Sequence, residues 1–273
     1  MKKLAFTIAF GPKKYTNMAR ALQESISRYS PGIEFRIFDD SDITPYEQAL
    51  PKDRILHPKD YKYPKLEIMS KMQDPDTRYM YIDADAFVFG DISPYFDLID
   101  NDELMIEYVY NGSNGWAGIN KFQFIDRCEE VGLPGLEPYS INSGFIVWQG
   151  KQQCFETALK LILDKTLNDL KGRKGDEYYL CAGIQLSKTR VKPINYDVVK
   201  LGKLWNGDVS YKNGMLACTA YPDKDLIIHH YGNNNYNNPA IQKVLQDFGL
   251  RDYSFKQYLV YLGQRLKKLV RKL

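Results

Sequence analysis

Cysteine is scarce in this chain of 273 residues: the four present, Cys128, Cys154, Cys181 and Cys218, are widely spaced and form no C-x-x-C pair. Neither a zinc site nor a disulfide framework is indicated, and a reducing compartment is the expected setting. Strong net charge is absent too. A formal charge of +3 is too small to imply nucleic-acid binding by the whole surface. Long apolar runs are missing, and none approaches the length of a membrane-spanning helix. The start, MKKLAFTIAFGPKKY, imitates a signal peptide. Its apolar core is short, however, and the small-x-small pair Ala19 and Ala21 follows a polar stretch, so the expected location is cytoplasmic. There is no internal repeat and no low-complexity linker beyond the polar patch GNNNYNN at 232–238.

What remains is the composition of a folded protein, with 44% apolar and 26% charged residues. Tyrosine is plentiful at 21 residues, beside 13 Phe and 3 Trp. Core filling accounts for most such rings, and stacking on sugars or nucleotides is the alternative use.

Hydrophobic periodicity sets the order of elements. LAFTIAFG (4–11) is a β-rich run ended by Gly-Pro. In YTNMARALQESISRYSPG (15–32), Met18, Leu22 and Ile26 have helical spacing, and IEFRIFDD (33–40) alternates as a strand does. This β-α-β opening predicts a parallel sheet in an α/β protein. A helix at 65–72 and a strand at 78–89 follow. A further strand is expected at 140–148, helices at 154–170 and 176–186, and a short apolar run at 225–232 ends in HHYG. Residues 1–250 form the expected domain, and 251–273 a separate C-terminal helix.

Within RYMYIDADAFVF, Asp83 and Asp85 stand one residue apart in apolar surroundings. On a continuous strand both would point to one side and Ala84 to the other. Paired carboxylates repel unless a cation lies between them, and oxygen donors suit Mg²⁺ or Mn²⁺. The flanking apolar runs make a solvated turn the less comfortable reading. The end of such a strand is also where open α/β sheets bind ligands.

YIDADAFVFGDI resembles the D-x-D segment of the GT-A nucleotide-sugar glycosyltransferases, and especially of glycosyltransferase family 8. INSGFIVW (141–148) is similar to that family's Asn-small-Gly strand, Asp176-Glu177 stands where the family often has Asp-Gln, and HHYG fits its H-x-x-G element. The resemblance spans residues 4 to about 235 and implies a GT-A, Rossmann-like α/β fold: a mixed, mostly parallel sheet flanked by helices.

By the same resemblance, Asp83, Asp85 and His229 would hold Mn²⁺ or Mg²⁺, which bridges the diphosphate of a nucleotide sugar and supports departure of the leaving group. The H-x-x-G spacing to Gly232 selects His229 over His230, because only one of two adjacent rings on a strand can face a pocket. Ala9, Phe10 and Gly11 would cradle the nucleobase and ribose, with Ala84 between the aspartates joining the donor-binding set. Lys65 occupies a place where the family commonly has arginine, a solvated lysine being the alternative. Asn142, Ser143 and Gly144 would line the donor sugar, and Gly232 would close the H-x-x-G element. Asp176 and Glu177 are the candidate catalytic residues. Glu177 departs from the family's glutamine, and a carboxylate there serves either as general base or as nucleophile. Trp205 and Asn206 are placed near an acceptor sugar or in the core.

A second departure is Asn235, where the family's H-x-x-G-x-x-K-P-W pattern has lysine. In the tail, Leu259, Leu262, Leu266, Leu269 and Leu273 recur at helical spacing among Lys256, Arg265, Lys267, Lys268, Arg271 and Lys272, and no acidic residue follows Asp252. A basic amphipathic helix of this kind suits an anionic membrane surface, making the protein peripheral on the cytoplasmic face through residues 256–273. The expected activity is metal-dependent transfer of a monosaccharide from a nucleotide diphosphate sugar, with UDP the expected nucleotide, to a glycan or glycolipid acceptor. A nucleotidyltransferase that makes the sugar nucleotide, and an inactive carbohydrate-binding protein of the same fold, are the competing readings.

Overall fold

A computed structural model describes residues 1–10, 13–42, 62–109, 129, 132–133, 135–136, 140–163, 176–250 and 263. In chain order the strands and helices are β1 (Lys2–Ile8), α1 (Lys13–Tyr29), β2 (Glu34–Phe38), α2 (Lys62–Lys71), β3 (Thr77–Ile82), β4 (Ala86–Val88), β5 (Glu103–Val109) and β6 (Ser140–Gln149). They continue with α3 (Gln153–Leu163), α4 (Asp176–Ser187), β7 (Arg190–Pro193), β8 (Leu201–Lys203), β9 (Val209–Lys212), β10 (Met215–Cys218), β11 (Ile228–His230) and α5 (Pro239–Asp247). The chain divides into two compact units. The first holds 1–10, 38–82 and 94–194, and the second holds 11–37, 83–93 and 195–273.

The first unit is built on a mixed sheet in which β1, β3, β6, β5 and β7 are neighbours in that order. β1 pairs parallel with β3, and β5 with β7, while β6 runs antiparallel to both β3 and β5. Four strands therefore share one direction and β6 alone is reversed. Apolar residues from these strands and from α2, α3 and α4 fill one core. Trp148 lies at its centre, fully buried, with ring centroids 4.8 Å from Phe155, 5.4 Å from Tyr79 and 5.7 Å from Phe6. The helices α3 and α4 touch through Gly183, where an added Cβ would stand 2.4 Å from the Cys154 carbonyl oxygen. Only hydrogen fits in that gap.

The expected ladder between β5 and β6 is broken by a bulge. Ile106 faces Ile146, but the next residue, Glu107, faces Asn142. Ser143, Gly144 and Phe145 are thus extra residues on β6, and such insertions re-aim backbone groups away from the ladder.

In the second unit, α1 buries Met18, Ala19, Ala21, Leu22, Ser25 and Ile26, the face that its spacing predicts. Ser25 ties the helix to β4, donating to Leu22 O and accepting from the Val88 N–H at 3.0 Å. β11 is the middle of a three-stranded sheet, antiparallel to β4 and parallel to β8. A cluster of aromatic rings, Phe87, Phe89, Tyr231 and Phe248, closes this core. The unit also carries the β9–β10 hairpin and α5. Asn238 caps α5, its side-chain oxygen accepting from the Ala240 N–H, with Pro239 in the first turn.

One sequence expectation is corrected here. Residues 78–89 are not a single strand: β3 ends at Ile82, Asp83 to Asp85 form a turn, and β4 starts at Ala86. The two carboxylates are gathered by the turn and not by strand alternation. Among the described residues, no helix is long and apolar enough to cross a membrane. Cys154, Cys181 and Cys218 are buried free thiols, and burial pushes the Cys154 thiol up to about 12. The expected tail helix at 251–273 lies outside the described residues, Gly263 excepted.

Candidate metal and sugar-binding residues

Strand pairing in the second unit builds a cluster of acidic and imidazole groups. Register sets His230 opposite Ala86, the residue after Asp85, and the Tyr231 N–H donates to the Asp85 carbonyl at 2.9 Å. His230 Nε2 then lies 2.6 Å from Asp85 Oδ1 and 3.8 Å from Asp83 Oδ2. One donor atom from each of Asp83, Asp85 and His230 lies within 4.8 Å of the others. Two carboxylate oxygens and an imidazole nitrogen could hold a divalent cation.

His230 is the histidine of this cluster, so the choice of His229 is corrected. Alternation does separate the two rings, but the turn carries the aspartates to the His230 side. His229 faces Phe87 across the ladder, packs edge-on against Phe89 with centroids 5.1 Å apart, and donates from Nε2 to Leu226 O. Its Nδ1 is buried without a partner. Burial pulls its pKa down to about 4, against the opposing hydrogen bond to Leu226, and keeps it neutral.

The electrostatics of the cluster are those of an ion pair between Asp85 and His230. Burial raises the Asp85 pKa, but the charge and hydrogen bond of His230, together with the Asn233 N–H, outweigh it and leave the carboxyl below its usual range. For His230 the same balance runs the other way. Burial and Lys203 oppose protonation, while Asp85 and Asp83 favour it and raise the pKa. Asn233 is itself fixed from α1, accepting from Lys14 Nζ at 2.8 Å and donating to the Tyr15 hydroxyl at 3.0 Å. The Asn235 side chain donates to Tyr231 O at 2.7 Å and supports the backbone of this turn. Gly232, in the left-handed region with φ +75°, leads into it, and a Cβ there would lie 3.1 Å from the Trp205 ring.

A second constellation forms within the first unit. Lys65, on α2, is buried, which overturns the solvated alternative. Its Nζ donates to Ser143 Oγ at 2.8 Å, pairs with Asp176 Oδ2 at 3.0 Å and sits 4.5 Å from the centroid of Tyr81. Ser143 Oγ in turn donates to Asp176 Oδ2 at 2.8 Å. Asp176 is the first residue of α4, where the helix dipole also favours a carboxylate. Burial pushes its pKa up, yet Lys65 and Ser143 together hold it below the ordinary range. The bulge in β6 turns the Ser143 N–H toward Glu177 Oε1, 3.4 Å away, and the Gly144 N–H is accepted by Asn142 Oδ1 at 2.9 Å. Four sequence candidates, Lys65, Ser143, Asp176 and Glu177, are thereby joined, with Asn142 and Gly144 beside them.

The remaining candidates are placed individually. Ala9 is buried, and its N–H donates to Phe38 O at 2.9 Å. Phe10 is half-buried and Ala84 buried within the aspartate turn. Gly11 lies outside the described residues.

No family model matches the chain, and no curated protein does. Solved structures do match. The glycosyltransferase GlyE of Streptococcus pneumoniae TIGR4 aligns over 99% of this chain with 14% identity and a TM-score of 0.52. The chain spans 64% of the length of GlyE. An active-site mutant of LgtC aligns over 90% of this chain and 94% of its own, at 15% identity and a TM-score of 0.52. The galactosyltransferase LgtC in complex with donor and acceptor sugar analogs aligns over the same shares at 15% identity and a TM-score of 0.50. At such identities the likeness is one of architecture, and the architecture it shows is the GT-A glycosyltransferase fold.

Proposed function

We propose that this protein is a metal-dependent glycosyltransferase of the family 8 type, moving a monosaccharide from a nucleotide diphosphate sugar, with UDP the favoured nucleotide, to a glycan or glycolipid acceptor. The convergence of Asp83, Asp85 and His230 carries the reading. These residues would hold Mn²⁺ or Mg²⁺, and a cation bound there supplies Lewis-acid neutralisation of the charge on a departing diphosphate. The chain's own groups prepare for this: Asn233 and His230 orient the Asp85 carboxylate, and Asp83 adds a second negative charge.

The roles of the other residues extend the same reading. Ala9 and Phe10, with Gly11 beside them in sequence, receive the nucleobase and ribose, and Ala84 and Gly232 complete the donor-binding set. Lys65, Asn142, Ser143 and Gly144 hold the donor sugar. Lys65 and Ser143 keep Asp176 ionised and oriented, which suits it to accept hydrogen bonds from sugar hydroxyls. Glu177 is the reactive carboxylate, as general base on the acceptor hydroxyl or as nucleophile. Residues 256–273 hold the enzyme on an anionic membrane at its cytoplasmic face, bringing it to a lipid-linked acceptor.

Calorimetric titration of UDP, GDP, CDP and dTDP sugars, with and without Mn²⁺, tests the proposal on wild type and Asp85→Ala. Metal-dependent binding of one nucleotide that disappears in the variant is the expected result. Binding without metal dependence would reject the metal role of the aspartates, and no binding at all would reject the proposal in favour of a carbohydrate-binding protein.

A further inference from the structure

Among the described aromatic side chains of the second unit, Trp205 stands out because it is 39% exposed. Exposure alone means little for a single apolar side chain. The way this one is held is more informative. Leu204, just before it, is fully buried, and its carbonyl accepts from both the Cys218 thiol and the Gly207 N–H. The indole meets His230 edge-on with centroids 5.0 Å apart, and a Cβ at Gly232 would crowd its six-membered ring at 3.1 Å. Lys203 Nζ lies 6.0 Å from the ring centroid. The ring is therefore fixed on two sides while much of its surface remains open to solvent, so a ligand stacking on it would order little that is not already ordered.

We infer that Trp205 is the stacking platform for a pyranose ring of the acceptor. The C–H face of a pyranose is flat and apolar and matches an indole, while its hydroxyl rim requires polar surroundings. The surroundings are polar: Lys203, Asn206 and Asp208 flank the ring in sequence, and Asn233 to Asn235 follow the Gly232 that abuts it. A docking site for a protein would instead set an anchoring aromatic within an apolar patch. Contact with His230 puts the platform at the candidate metal cluster, where a transferred sugar has to arrive. The inference rests on the glycosyltransferase reading for the word acceptor, but not for the binding of sugar.

The test uses the full chain, with and without UDP and Mn²⁺. Lactose, maltose, N-acetyllactosamine and methyl rhamnoside are titrated by saturation-transfer NMR on wild type, Trp205→Ala and Trp205→Phe. At least one saccharide is expected to bind wild type, about tenfold more weakly to Trp205→Ala, and within about threefold of wild type to Trp205→Phe. In Trp205→Ala, UDP and Mn²⁺ affinity should fall by less than saccharide affinity does, since the indole also packs on His230. Failure of every saccharide to bind, equal binding by Trp205→Ala, or a loss confined to UDP and Mn²⁺ would overturn the inference. If saccharide binding depends on Trp205 while wild type ignores nucleotide and metal, the glycosyltransferase reading fails and the platform stands.

Discussion

Replacing Lys65 with methionine keeps most of the aliphatic stem but strands Asp176. In the wild type the ammonium group serves three partners, Ser143 Oγ, Asp176 Oδ2 and the face of Tyr81. Lys65 and Asp176 side chains are 10% and 21% exposed, so solvent screens the pair only partly. Breaking a fully buried pair costs about 3–5 kcal/mol. Ser143 continues to donate to Asp176, and some water reaches it, which brings the expected loss to about 2–3 kcal/mol, or roughly 5–10 °C in melting temperature. The sign of the pH dependence adds a second readout. The depressed pKa of Asp176 means that wild type keeps this stability above the ordinary carboxylate range and loses it as pH falls through the lower folded value. In Lys65→Met, burial acts without its main opponent and raises that pKa, so protonation relieves the variant as pH falls. The stability difference between the two proteins should therefore be largest near neutrality and shrink toward pH ~3–4. Urea unfolding from pH 7 to pH 3 measures it. A difference below about 0.5 kcal/mol, or one that grows on acidification, would show that the pair is solvated and that the argument fails.

Two further substitutions test placements that sequence alone does not supply. His230→Ala should weaken Mn²⁺ binding by more than about tenfold in calorimetry, whereas His229→Ala should leave it within about threefold and lower thermal stability by emptying a packed site; the reverse order would restore His229 as the ligand. Gly183→Ala forces a methyl group against the Cys154 carbonyl oxygen and should cost about 1–3 kcal/mol in chemical denaturation, with no loss meaning that α3 and α4 separate freely.

The α/β class and the elements β1, α1, β2, α2, β3, β6, α3, α4 and β11 were legible in the sequence because period-2 and period-3.6 patterns record which side of each element meets the core, whereas β5, β7 to β10 and α5 were not read. Met18, Leu22 and Ile26 face inward on α1 as their spacing required. The pairing of Asp83 and Asp85 was legible too, as two carboxylates one residue apart, and with His230 they form a group that could hold a cation. The backbone between them was not. Apolar neighbours suggested a continuous strand, but Ala84 is buried within the turn and Ala86 and Phe87 in β4 just after it, and a turn can be as buried as a strand. The choice between His229 and His230 depended on which face of β11 the turn reaches, a matter of register with β4 that only pairing decides. The burial of Lys65 was not legible because its partners, Ser143 and Asp176, lie 78 and 111 positions away in the chain. The bulge that turns Ser143 toward Glu177 left only Ser143-Gly144 as a signal. Local sequence determined the residue types and their periodicity; tertiary structure decided which charges meet, because burial and register act between segments that no local pattern connects.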